Sequence, residues 1–134
     1  MGKDAKPMDN DAAWDCAKEV FTMYSTDEIM QFVYLVAEVV DPDRIILFGS
    51  YAYGRPDDKS DIDLLVVKNG KDFSIYDEAK IATDVFYRRI QLGIRTRCDV
   101  FYRTDKQVKE SAKKGGAFVD ALQKGKVIYE RVHQ

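Results

Sequence analysis

Apolar residues recur along this chain at two periods, and the switches between them mark its elements. From Asn10 to about Tyr24, Trp14, Ala17, Val20, Phe21 and Tyr24 fall at helical spacing. Ser25, Thr26 and Asp27 break the pattern. Ser25 followed by Glu28 predicts a capping box, in which hydroxyl and carboxylate each satisfy a free amide at a helix start. The helix it opens runs to about Val40, with Ile29, Phe32, Val33, Val36, Val39 and Val40 on its buried stripe. Asp41-Pro42-Asp43 stops it, because the residue before proline avoids the α region.

The period then shortens. Arg44 to Phe48 reads as a short buried strand ending at Gly49-Ser50. Tyr51 to Gly54 is at most one helical turn, and Arg55 to Ser60 a polar loop. Asp61 to Lys68 reads as a second strand, whose run Leu64 to Val67 suits a position covered on both faces. Asn69-Gly70 is a turn. Ile75 to about Leu92 predicts a long helix with Ile75, Ala79, Ala82, Phe86 and Ile90 on its buried stripe, stopped at Gly93. Arg97 to Thr104 is a third strand. A helix starts near Asp105 and is interrupted at Gly115-Gly116; another, from Ala117 to Lys124, ends at Gly125. Lys126 to Glu130 is a last strand. The order αα, β, β, α, β, α, α, β predicts a small α/β protein with about four strands and helices packed on the sheet.

The 134 residues make one domain's worth of chain, so residues 11–134 are expected to form a single domain with two N-terminal helices, and residues 1–10 a flexible tail. Lys and Arg total 21 and Asp and Glu 23, for a net charge of −2. A protein that lives on a nucleic-acid backbone usually has a basic excess, so a nucleic-acid acceptor is disfavoured. No stretch approaches the roughly 20 apolar residues of a membrane span, and the polar N-terminus lacks the apolar core of a signal peptide. Cys16 and Cys98 form neither a disulfide framework nor a zinc motif. A reduced, cytoplasmic protein is the expectation. The lone His133, at the end of the chain, excludes most histidine-based catalysis unless a frayed tail contributes.

The chemistry concentrates between Phe48 and Val67. Gly49-Ser50 is followed by ten residues and then Asp61-Ile62-Asp63. Side chains alternate along a strand, so Asp61 and Asp63 share one side while Ile62 points into the core. Two carboxylates there suit a hard divalent cation such as magnesium, which takes oxygen ligands. A phosphate can approach the backbone of Gly49, and Ser50 offers a hydroxyl and an amide. Other motifs fail. Gly49-x4-Gly54 is half a P-loop, but Arg55-Pro56 follows where Lys-Ser/Thr is required. A calcium loop would need an oxygen ligand at Leu65.

Gly-Ser-x10-Asp-x-Asp resembles the signature of the minimal nucleotidyltransferases of the DNA polymerase β superfamily. Asp99, in Arg97-Cys98-Asp99-Val100-Phe101, matches the third carboxylate of that family, and Gly125 to Glu130 is similar to its closing strand. The likeness spans about residues 27–131. It implies the small nucleotidyltransferase fold with a mixed sheet of about four strands. It implies that Gly49 and Ser50 hold the β- and γ-phosphates of ATP, with Arg55 as a further nucleotide contact. Asp61, Asp63 and Asp99 would bind two magnesium ions, and Asp99 would help activate an acceptor hydroxyl. Tyr53 departs from the pattern, since many members carry Arg there; Arg55 either replaces that charge or the triphosphate is held differently.

Small members of this family are commonly paired with a helical HEPN-type protein, as antitoxin to a toxin ribonuclease. The resemblance therefore implies AMP transfer from ATP to a hydroxyl on such a partner. Two alternatives stay open: an antitoxin that acts by contact alone, and a transferase acting on a small molecule such as an aminoglycoside, with a homo-oligomer completing the acceptor site. Ordinary roles are the expectation elsewhere. Asp57 and Asp58 read as a solvated loop, Lys59 and Lys68 as charged surface, and Cys98 as a buried, inert thiol.

Overall fold

The computed structural model describes residues 24–132, except Asp58 and Ala117. The expected tail, the helix before Tyr24, Cys16 and His133 lie outside the described residues. Five helices and four strands follow: α1 (Thr26–Val40), β1 (Arg44–Phe48), α2 (Ser50–Tyr53), β2 (Ile62–Val67), α3 (Ile75–Leu92), β3 (Cys98–Arg103), α4 (Asp105–Lys113), α5 (Phe118–Lys124) and β4 (Lys126–Glu130).

Local chemistry sets these boundaries. The predicted Ser25/Glu28 capping box is present, and Ser74 with Asp77 and Thr104 with Gln107 form two more. Asp41 ends α1 in the left-handed region at φ 55°, held by its N–H on the Ala37 carbonyl. Gly93 ends α3 at φ 71°, where a side chain would be strained.

The sheet order is β3-β2-β1-β4. β1 runs antiparallel to β2 and β4, and β2 runs parallel to β3 through the α3 crossover, so the sheet is mixed. Strand alternation divides the core. Ile45, Leu47, Ile62, Leu64, Val66 and Tyr102 meet α1 and Val85 of α3 on one face. Ile46, Phe48, Leu65 and Val67 meet Val108 of α4 and Phe118 and Ala121 of α5 on the other. Leu64 to Val67 are fully buried, as their unbroken apolar run predicts. Truncating one of them, as in Leu64→Ala, would cost about 2–5 kcal/mol.

The boundaries of α3 match its sequence pattern, but the buried stripe does not. Ile75, Ala79, Ala82, Phe86 and Ile90 face solvent, while Val85 and half-buried Ile81 pack inward. The helix has two apolar arcs, and its 3.6-residue period marks both. Docking against α1 selected the arc through Ile81 and Val85.

Candidate active site

The site forms where β1 ends and β2 and β3 begin. Register places Asp63 beside Phe48 on β1 and beside Asp99 on β3. Asp61 immediately precedes β2, two residues before Asp63, and the buried Ile62 between them anchors the strand in the core. By alternation, Asp61, Asp63 and Asp99 stand on the α4/α5 face of the sheet, just beyond its aromatic filling. That filling is Phe48, Phe101 and Phe118, with ring centroids 5.6–6.2 Å apart.

Gly49 links the acidic group to the turn beside it. Its φ of 78° favours glycine, and a Cβ built there would overlap the Asp63 carboxylate. The Gly49 carbonyl accepts the N–H groups of Ala52 and Tyr53, which winds α2 so that Ser50 occupies its first position. Gly54 closes the turn onto the Ser50 carbonyl at 3.0 Å, packed so closely that a Cβ would lie 3.0 Å from the Ser50 Cα. The predicted phosphate-binding and acidic segments are thus neighbours.

Burial, followed by the charges of Asp99 and Asp61, raises the Asp63 carboxyl above its ordinary pKa. These groups repel one another, and a cation among them relieves the repulsion. Among the described residues, no three His, Cys, Asp or Glu side chains close into a ready cage. Magnesium does not require one, since it keeps waters and substrate phosphates beside one or two carboxylates. The all-oxygen donor set therefore fits a hard divalent cation.

Arg55 is exposed beyond the end of α2, and the charges that shift Asp63 are carboxylates. Asp57 behaves as a loop acid: it accepts from the Lys59 N–H at 2.9 Å and the Ser60 hydroxyl at 3.1 Å, which hold its pKa low. Asp58 lies outside the described residues. Cys98 is half-buried against the core rather than within it, and burial pushes its thiol well up, in keeping with an inert cysteine.

Two cations here escaped the sequence reading. Arg97 lies on the strand parity of Asp99; its Nε donates to the Tyr24 hydroxyl at 3.4 Å, and that bond, then the charges of Tyr24 and Asp61, raise its pKa. Counting back two residues from Asp99 would have found it. Lys124 lies with its Nζ 5.8 Å from the ring centre of Tyr53, a pairing across 71 positions that no local pattern signals.

The family model described as polymerase beta, nucleotidyltransferase, matches residues 33–134, a span that contains the whole site. The chain belongs to this family. It is a nucleotidyltransferase of the polymerase β type, with the four-stranded mixed sheet expected of one.

A comparison with curated proteins gave no match. Among solved structures, this nucleotidyltransferase is similar to a candidate nucleotidyltransferase from Sulfolobus solfataricus, at 20% identity and a TM-score of 0.47, over 78% of this chain and 86% of that one. It is also similar to a chain of a toxin–antitoxin structure with AMP-PNP, at 18% identity and a TM-score of 0.48, over 81% of this chain and 75% of that one. No helix among the described residues is long and apolar enough to cross a membrane.

Proposed function

We propose that this nucleotidyltransferase transfers AMP from ATP to a hydroxyl on a partner protein, releasing pyrophosphate. One observation carries the reading: Asp61, Asp63 and Asp99 share a sheet face, with Asp63 pressed against Gly49. The three carboxylates would hold two magnesium ions. Bound there, magnesium neutralises the triphosphate and acidifies the acceptor hydroxyl. Gly49 admits the β- and γ-phosphates to its backbone, Ser50 donates its hydroxyl and amide, and Arg55 adds positive charge from the neighbouring loop.

Asp99 accepts the proton from the acceptor hydroxyl. The acceptor oxygen forms a bond to the α-phosphorus, and the bond to the β-phosphate oxygen breaks. Its electron pair leaves with pyrophosphate. Positioning and charge carry the reaction, so no covalent protein nucleophile is needed. The resemblance to small antitoxins supports a cytoplasmic, helical HEPN-type partner, with a tyrosine as the acceptor.

The test is α-labelled ATP with magnesium in a lysate of the source organism, with the Asp61→Asn/Asp63→Asn double variant as control. Label on a discrete protein band, absent from the control, is expected and identifies the partner. Label confined to RNA or small molecules would replace the proposed acceptor class. No transfer from any triphosphate would overturn the catalytic reading.

One observation favours a second reading, in which the chain neutralises a partner by contact alone. At the position where many relatives carry Arg, Tyr53 is exposed and paired with Lys124. A variant with all three aspartates replaced would then still neutralise its partner in cells.

A further inference from the structure

The outward arc of α3 has no covering element among the described residues. Ile75 is 87% exposed, Phe86 52% and Ile90 59%, and the flanking Tyr76 and Tyr87 are 75% and 63% exposed. Ala79, Ala82 and Thr83 lie between them, and none of these residues is charged. Isolated exposed apolar residues are ordinary, but a continuous stripe along a helix marks an interaction surface. On the α1 side the charges bordering it are engaged within the chain, Glu78 with Arg103 at 2.7 Å and Arg89, whose Nε donates to the Ile94 carbonyl at 3.2 Å, while Lys80 borders the other edge.

We propose that this stripe is a homodimer seam, on which α3 packs antiparallel against α3 of a second copy about a twofold axis near Ala82 and Thr83. The steps from Ile75 to Ala79, Ala82 and Phe86 are four, three and four residues, the spacing of a helix-pairing seam. A twofold contact must be self-complementary, and this sequence is. Reversed on itself about that axis, the stripe sets Phe86 against Ala79 and Ile75 against Ile90. A large ring thus meets a small residue on both sides of the axis. The alanines near the centre allow the helix axes to approach to about 8–10 Å. No like charges are brought face to face along the stripe.

The area is adequate. Ile75, Tyr76, Phe86, Tyr87 and Ile90 together expose roughly 700 Å², within the roughly 600–1,000 Å² per partner of a standard interface. The seam is independent of the chemistry at the carboxylates, so either proposal can fail alone.

Sedimentation equilibrium of the full chain at micromolar concentrations tests it. A mass twice the 15.4 kDa of one chain is expected. Phe86→Glu should give monomers that keep the wild-type circular dichroism spectrum, weakening association roughly 100-fold. In a Cys16→Ser background, Ala82→Cys should oxidise to a covalent dimer, whereas Asp84→Cys on the polar side should not. A monomeric wild type overturns the proposal, as does a dimer that Phe86→Glu leaves intact. Dimerisation only after removal of residues 1–23 also overturns it, and assigns the stripe to the N-terminal segment. So does a monomeric chain that uses the stripe to bind a different protein.

Discussion

Gly49 lies against the carboxylate of Asp63, leaving no room for a Cβ. The two residues come from different strand ends, and β1–β2 register brings them together through the Phe48–Asp63 pair. The Gly-Ser turn and the acidic pair are therefore one mechanical unit, and a change in either displaces the other.

Gly49→Ala should accordingly damage both fold and activity. The new methyl group meets Asp63 and is strained by the positive φ, costing about 1–3 kcal/mol. Nucleotidyl transfer should fall at least roughly tenfold beyond what the stability loss explains, since a small displacement of positioning groups is costly. Thermal melts beside transfer assays at matched folded fraction check this.

Asp63→Asn should stabilise the metal-free protein while abolishing transfer. The folded pKa of Asp63 is raised, so ionising it costs the fold. That cost is absent below the ordinary carboxylate pKa, appears as pH rises through the raised value, and is fully present at neutral pH. Asparagine removes it. The variant's melting temperature in EDTA should exceed the wild type's by a few degrees at pH 7. The difference should shrink or reverse near pH 4, and magnesium should raise the melting temperature of the wild type alone.

Asp105 should show the opposite pH dependence. Its hydrogen bond to Arg44, and then that to Asn69, hold its pKa low. The stabilisation is present above the ordinary carboxylate pKa and is lost as pH falls through the depressed folded value. Asp105→Ala should cost about 1–2 kcal/mol at pH 7 and leave the half-buried Arg44 guanidinium without that partner. Urea titrations at pH 7 and pH 3 should show the penalty fading in acid.

Thr104→Val should destabilise α4 and loosen the loop before α3. The buried hydroxyl accepts from the Gln107 N–H at 3.1 Å and donates to Asp72 at 2.7 Å. Gln107 also bonds both the N–H and the carbonyl of Phe73. Losing the cap costs about 1–2 kcal/mol. Hydrogen exchange should quicken at Phe73 and Gln107 and stay unchanged at Leu64.

The elements were legible because their signals are local. Capping pairs, the Asp41-Pro42 stop, the unbroken run Leu64–Val67 and the glycine after Leu92 each act within a few residues. Gly49-Ser50, Asp61 and Asp63 were legible as a spacing, and Asp99 only through the family resemblance. Strand alternation alone put Asp61 and Asp63 on one side.

Tertiary structure decided what local pattern leaves degenerate. Both arcs of α3 satisfy a helical period, and only docking on α1 chose Val85 over Phe86 for burial. The pairing of Asp63 with Asp99 depended on the register of a parallel crossover, and the contact of Lys124 with Tyr53 on a fold that joins distant segments. The sequence by itself determined the elements and the chemical inventory, because these follow from interactions among near neighbours. Which faces meet, and which charges raise the pKa of Asp63, followed from packing, because burial and Coulomb energy depend on distance in space rather than along the chain.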